Sequence, residues 1–169
     1  SHRPLAMLDE GIARRSITLM APSKSFNVPG LGCAFAVITD AGLRRRFTRA
    51  MAGIVPHVNV LGFAACEAAL RDSGDWHAAL IEVLRRNRDR VEAAVASMPG
   101  LSMAHVEATY LAWIDARGLA ESGIGNPGQF FESHGVGLSD GADFGAPGWL
   151  RLNFGCGLPT LDEALKRMR

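Results

Sequence analysis

Ile17-Thr18-Leu19-Met20-Ala21-Pro22-Ser23-Lys24-Ser25-Phe26-Asn27-Val28-Pro29-Gly30-Leu31 is the stretch on which the reading of this chain turns. Ser16 to Ala21 is apolar and partly β-branched, so a short buried strand is expected there. Pro22-Ser23-Lys24-Ser25 and Phe26-Asn27-Val28-Pro29-Gly30 cluster proline, asparagine and glycine, which is turn chemistry. Gly32 to Thr39 reads as a second buried strand. A lysine therefore stands in a polar turn between two apolar strands. Of eighteen basic residues only Lys24 and Lys166 are lysines; the rest are arginines. Guanidinium stays protonated, so arginine cannot replace a lysine whose neutral amine attacks a carbonyl. Taken alone, a turn lysine is more often simply a solvated side chain.

Outward from that stretch, Asp40 caps an expected helix with Leu43 and Phe47 on one face. Asn59 to Leu70 is rich in small apolar residues and predicts a buried helix beyond Pro56. Ser73-Gly74-Asp75 breaks the pattern. From Trp76 to Met98, Leu80, Val83, Leu84, Val91, Ala94, Val95 and Met98 recur at helical spacing, with Arg85, Arg86, Asn87, Arg88 and Asp89 as the polar side. Pro99-Gly100 stops this long helix. Strands are expected over 101–106, 108–114, 136–139 and 149–154, with a short helix over 129–134. Ser122 to Gly128 and Gly141 to Gly148 read as loops. Thr160 is expected to cap a last helix from Leu161 to Met168.

Composition narrows the function classes. The 169 residues are 48% hydrophobic and 21% charged, with a net charge of +1. That is enough apolar matter for a sizeable core, which argues against disorder. Near-neutral charge argues against a nucleic-acid partner held by many phosphate contacts. No apolar run approaches the ~20 residues that span a bilayer, so no membrane partner is expected. Cys33, Cys66 and Cys156 form no CxxC pair, and His105 and His134 lack partners at ligand spacing, so no metal site is expected. Three separated cysteines fit reduced thiols in the cytoplasm. The opening Ser1-His2-Arg3-Pro4 lacks the apolar core of a signal peptide.

Three segments carry a family resemblance. The 17–31 stretch resembles the cofactor-lysine motif of fold-type I pyridoxal-phosphate enzymes. Within them it is most similar to the class I/II aminotransferase branch that contains cystathionine β-lyase-like C–S lyases. Glu107-Ala108-Thr109-Tyr110-Leu111-Ala112-Trp113-Ile114-Asp115 resembles that branch's small-domain strand. Gly148-Trp149-Leu150-Arg151-Leu152-Asn153-Phe154-Gly155-Cys156 resembles its carboxylate-arginine motif. They occur in family order, and the resemblance covers essentially the whole chain.

The resemblance implies a cofactor, pyridoxal 5'-phosphate, and three site residues. Lys24 would bond covalently to the cofactor and later serve as the base that removes the substrate Cα proton. Ser23 would donate to the cofactor phosphate. Arg151 would grip the α-carboxylate of an amino-acid substrate with two parallel hydrogen bonds; as a pattern alone, an arginine alternating with Leu150 and Leu152 says only that it lies on a polar face. Loss of a thiol at Cβ gives lyase chemistry, and reprotonation at the cofactor gives transamination. Two positions depart from the family pattern. Ala21 stands where many relatives have serine, and Gly32 stands where some aminotransferases have arginine. Lyase-like relatives commonly lack that arginine. His57 reads as a loop histidine, Tyr110 and Trp113 as core, and the turn of Asp140, Gly141, Ala142, Asp143 and Gly145 as a neighbour of the substrate entrance.

The implied fold is α/β. Residues 1–72 correspond to the end of the large PLP-binding domain, 73–99 to a connecting helix, and 100–169 to an α+β small domain. The family's phosphate-binding turn, ring-stacking aromatic, and asparagine and acid at the pyridine nitrogen have no counterpart ahead of Lys24. The chain thus reads as the C-terminal portion of a homodimeric enzyme, inactive by itself. The alternative is a non-catalytic remnant that self-associates through the uncovered strand edges of residues 16–38.

Overall fold

A computed structural model describes residues 3–169, so the part of the leader reading that rests on Ser1 and His2 lies outside the described residues. The chain divides into two compact units, residues 1–78 and 79–169. Each is taken by itself.

In residues 1–78, a short helix α1 (Glu10–Ala13) leads to strand β1 (Thr18–Met20), which pairs antiparallel with β2 (Phe35–Val37) in the register Thr18↔Val37, Leu19↔Ala36 and Met20↔Phe35. Between them Pro22–Ser25 forms a helical turn, α2, rather than the expected irregular turn. Proline at the helix start explains it: its φ is preset and its missing N–H is not needed there. The Phe26 N–H bonds the Pro22 carbonyl at 2.9 Å. Asn27 and Gly30 then take positive φ, 52° and 90°, to reverse the chain toward β2. Asp40 caps α3 (Ala41–Met51) by accepting from the Leu43 N–H at 2.6 Å, as expected. Asn59 caps α4 (Val60–Asp72) by accepting from Gly62 at 2.8 Å.

The two strands are not buried, contrary to their apolar reading. Leu19 is 69% exposed, and Met20 and Val37 are each 49% exposed. A two-stranded ribbon offers two faces and too little area to bury either. Only Ile38 and Ala69 of this unit are among the buried apolar side chains.

Helix α5 (Gly74–Ala96) is continuous across the division between the units. Beyond it, residues 79–169 form a four-stranded antiparallel sheet in the order β3 (Ser102–Met103), β4 (Leu111–Asp115), β6 (Trp149–Asn153), β5 (Ser139–Asp140). Two further helices, α6 (Pro127–Ser133) and α7 (Leu158–Arg167), complete it. Side chains alternate along a strand. Ala112, Ile114, Leu150 and Leu152 therefore face one side, where they meet Val91, Ala94, Val95 and Met98 of the α5 segment, Phe131 of α6, and Leu161 and Leu165 of α7. A fully buried side chain of this size contributes about 1.5–3 kcal/mol.

Several expectations shift for local reasons. The strand expected over 108–114 begins at Leu111, because Thr109 takes φ 73° and breaks extended geometry before it. The strand expected over 101–106 is only Ser102–Met103, and that over 136–139 is Ser139–Asp140. The start of the loop expected over 141–148 is a 3-10 turn, Gly141–Phe144, and another, Arg117–Ser122, precedes the loop expected over 122–128. Thr160 does not cap the last helix. Gly157 does, since Pro159 in the first turn lets the helix start earlier.

Asn87, read as part of the polar side of α5, is 2% exposed. Its amide donates to the carbonyls of Phe154 at 2.9 Å and Cys156 at 3.0 Å, clamping the exit of β6 to α5.

Candidate functional site

Residues Lys24 and Ser23 lie together on α2. Lys24 is exposed and, among the described residues, makes no hydrogen bond or ion pair, so its amine is available to a reactant. Ser23 is half-buried and lines a cavity of about 720 Å³ with Ala21, Gly32, Cys33, His57 and Asn59 among its walls. That wall carries hydroxyl, amide and imidazole groups but no lysine or arginine. The cavity is held open by the loop after α2. Asn59 donates to the Leu31 carbonyl at 2.8 Å while its oxygen caps α4, so one side chain fastens both walls. Gly62 makes room for this seam, because a Cβ there would meet the Leu31 carbonyl at 2.5 Å.

Arg151 belongs to the other unit. It sits on central strand β6, on the face opposite the core, directly across from Trp113 of β4 and Ser139 of β5. Its guanidinium donates to Ser139 Oγ at 3.1 Å and lies over the Phe144 ring, 4.5 Å from the centroid. Both contacts orient the plane of the guanidinium and neither neutralises it. Among the described residues no carboxylate pairs with it. Half-buried arginines on sheets usually find an acid, so this one presents open N–H groups to a ligand carboxylate or phosphate.

The same face carries an aromatic row, of which the sequence reading placed Trp113 in the core. Trp113 stacks on Trp149 at 5.8 Å and meets Phe144 edge-on at 5.9 Å. Trp113 is on this face because Ala112 and Ile114 take the core side. At the far end Arg117 caps Trp149 at 5.3 Å and is itself held by Asp115, whose carboxylate accepts from Arg117 Nε at 2.9 Å and Nη2 at 2.7 Å. That hydrogen bonding holds the Asp115 carboxyl below its ordinary value despite partial burial. Sequence reasoning missed Ser139 and Phe144 as neighbours of Arg151. Period-two alternation around Arg151 marked the face, but not which strand would lie beside it.

Asp140 closes the expected turn by accepting from the Ala142 N–H at 2.9 Å. His57 is an exposed residue of the α3–α4 connection that lines the 720 Å³ cavity. His105 stands 3.1 Å from Glu92, which also accepts from the Val106 N–H at 2.9 Å.

The family described as aminotransferase class I and II matches residues 4–168. The chain is 32% identical over 174 residues to the cystathionine beta-lyase PatB of Bacillus subtilis, covering 99% of this chain and 44% of that protein. It superposes on the crystal structure of OvoB with a TM-score of 0.93 at 50% identity, covering 99% of this chain and 43% of that one. Against cystalysin from Treponema denticola, a structure that contains pyridoxal 5'-phosphate, the TM-score is 0.88 at 29% identity, with 99% and 43% covered. The chain spans under half the length of the relatives it matches.

Proposed function

Since the chain belongs to the class I and II aminotransferase family, we propose that it is part of a pyridoxal-phosphate-dependent enzyme acting on amino acids, with C–S β-lyase chemistry before transamination. The observation that carries the reading is Arg151: an oriented, acid-free guanidinium in the middle of an open sheet face, the seat an α-carboxylate requires. Likeness to a cystathionine β-lyase and a glycine at position 32 favour the lyase branch. A homodimer in the cytoplasm belongs to the same reading, as does the division into 1–72 (end of the large domain), 73–99 (connecting helix) and 100–169 (small domain).

The donor set around α2 fits the reactive end of the cofactor: a primary amine without a partner for the aldehyde, and a hydroxyl facing a cavity for a phosphate oxygen. Lys24 and Ser23 would hold it there. Pyridoxal phosphate, when bound, supplies an electron sink for charge developing at the substrate Cα. Lys24 Nζ would hold the cofactor and, once free of it, would accept the Cα proton, which requires a neutral amine at that moment. Arg151 would fix the substrate carboxylate through two N–H groups, which sets the orientation of the bonds at Cα. Ser139 and Phe144 keep the guanidinium in that plane.

A second reading, a non-catalytic module that self-associates, is favoured by the exposed apolar side chains of residues 1–78. One experiment separates the two. Pyridoxal phosphate is added to the chain, reduced with borohydride, and the label mapped between the two lysines. The enzyme reading expects label on Lys24 well above Lys166, abolished in Lys24→Ala. Equal labelling of both lysines would sink it. Cystathionine, or an amino donor with a keto acid, offered to the full-length enzyme then tells lyase from transaminase.

A further inference from the structure

Two of the three cysteines meet in a way the proposed reaction does not use. Cys33 lies in the loop leading to β2, and Cys66 lies on α4. They are far apart in sequence, but the seam between loop and helix brings them together. The Leu31 carbonyl is seated against Gly62 and bonded by Asn59, at the first turn of α4. Four residues on, Cys66 is on the same helix face as Gly62, along with Ala69, the stripe of α4 that turns inward. Two residues on from Leu31, Cys33 follows that seam, and it is the neighbour that acts on the Cys66 thiol. Both side chains are half-buried rather than sealed, and Cys33 also lines the 720 Å³ cavity beside Ser23.

We propose that Cys33 and Cys66 are a redox modification site, forming a reversible intramolecular disulfide that ties the loop before β2 to α4. The oxidant is a hydroperoxide or a low-molecular-weight disulfide. With a hydroperoxide, the sulfur of one thiol of the pair attacks a peroxide oxygen and the O–O bond breaks. The departing alkoxide takes the thiol proton and leaves as an alcohol (as water from hydrogen peroxide), and that cysteine becomes a sulfenic acid. The second sulfur then attacks the first, and its proton leaves with the hydroxyl as water. Two thiols are oxidised by two electrons and one peroxide is reduced.

Partial burial, and then the neighbouring Cys33, push the Cys66 thiol above its ordinary value. Cys156 lies in the other unit, where burial pushes its thiol up. Closing the bond brings the sulfurs to about 2.05 Å. That tightens the wall of the cavity formed by Gly32, Cys33 and Asn59.

The test uses the whole reduced chain, treated with hydrogen peroxide or with oxidised glutathione, and read by thiol count and by peptide mapping without reduction. The expected result is loss of two of the three thiols, a mass lower by two hydrogens, and a peptide holding Cys33 joined to one holding Cys66. The rate should not depend on chain concentration, and dithiothreitol should restore all three thiols. Cys156→Ser should still lose two thiols, whereas Cys33→Ser and Cys66→Ser should form no internal link. Covalent dimers, a link that includes Cys156, or separate adducts on Cys33 and Cys66 would each overturn the proposal.

Discussion

Residues 79–169 and residues 1–78 use similar amounts of apolar sequence to opposite effect. In the former, α5, α6 and α7 cover one face of a four-stranded sheet, and Ile114, Leu150, Phe131, Phe154 and Leu161 are sealed from water. In the latter, Leu19, Met20, Val37, Val60, Leu61 and Phe63 remain exposed. Among the described residues, all the large exposed apolar side chains except Phe144 and Leu158 lie in 1–78. The difference is one of layers. A sheet with helices against one face buries that face, whereas a two-stranded ribbon needs a further layer to bury anything. Apolar composition therefore measures what a segment can bury, not what it buries within this chain.

The comparison is broken most severely in the core of the second unit. Phe154→Ala should cost about 3–5 kcal/mol by denaturant unfolding, because it empties a site that cannot collapse. Leu19→Ala should change stability by under about 0.5 kcal/mol, as it removes little buried area; an effect as large as that of Phe154→Ala would show the ribbon to be covered in solution. Asn87→Ala comes next, at about 1–3 kcal/mol, since it strands the buried carbonyl of Phe154 and the half-buried one of Cys156. Hydrogen exchange reads the same contrast, with protection expected across β4 and β6 and fast exchange in β1 and β2.

A smaller effect is electrostatic. Glu92 is held below its ordinary value mainly by the Val106 N–H, and Asp115 mainly by Arg117. Both have depressed folded-state values, so the unfolded chain binds more protons as acid is added. Their stabilisation is present above the ordinary carboxylate range and is lost as pH falls through the folded values. Unfolding followed from neutral pH down through that range should show residues 79–169 weakening. Glu92→Gln should flatten part of the slope, and an unchanged slope would mean that the Val106 contact does not persist in solution.

How much was legible depended on how local the cause is. Asp40 was read as a cap, because capping needs only one side chain and the next three N–H groups; Asn59 caps α4 by the same local rule but was read only as the start of its helix. The turn after Pro22 was recognisable but not its helical form. Asn87 lies four before Val91 and three after Leu84, so its place on the buried stripe was open to a count of spacing. Its hydrophilic type hid it, since only the carbonyls of Phe154 and Cys156, 67 and 69 residues away, make burying an amide affordable. Trp113 was misplaced because an aromatic on a strand fits either face.

By itself the amino-acid order determined the family, the sequence of strand, lysine turn, long helix and arginine strand, and the candidacy of Lys24, Ser23 and Arg151. These rest on contiguous residues, whose chemistry and conformation are set by near neighbours. Tertiary structure decided that Arg151 lacks an acid, which ring and hydroxyl orient it, which amide is buried, and which two cysteines are neighbours. Each depends on residues brought together across a sheet or a helix face by burial that no short window of sequence contains.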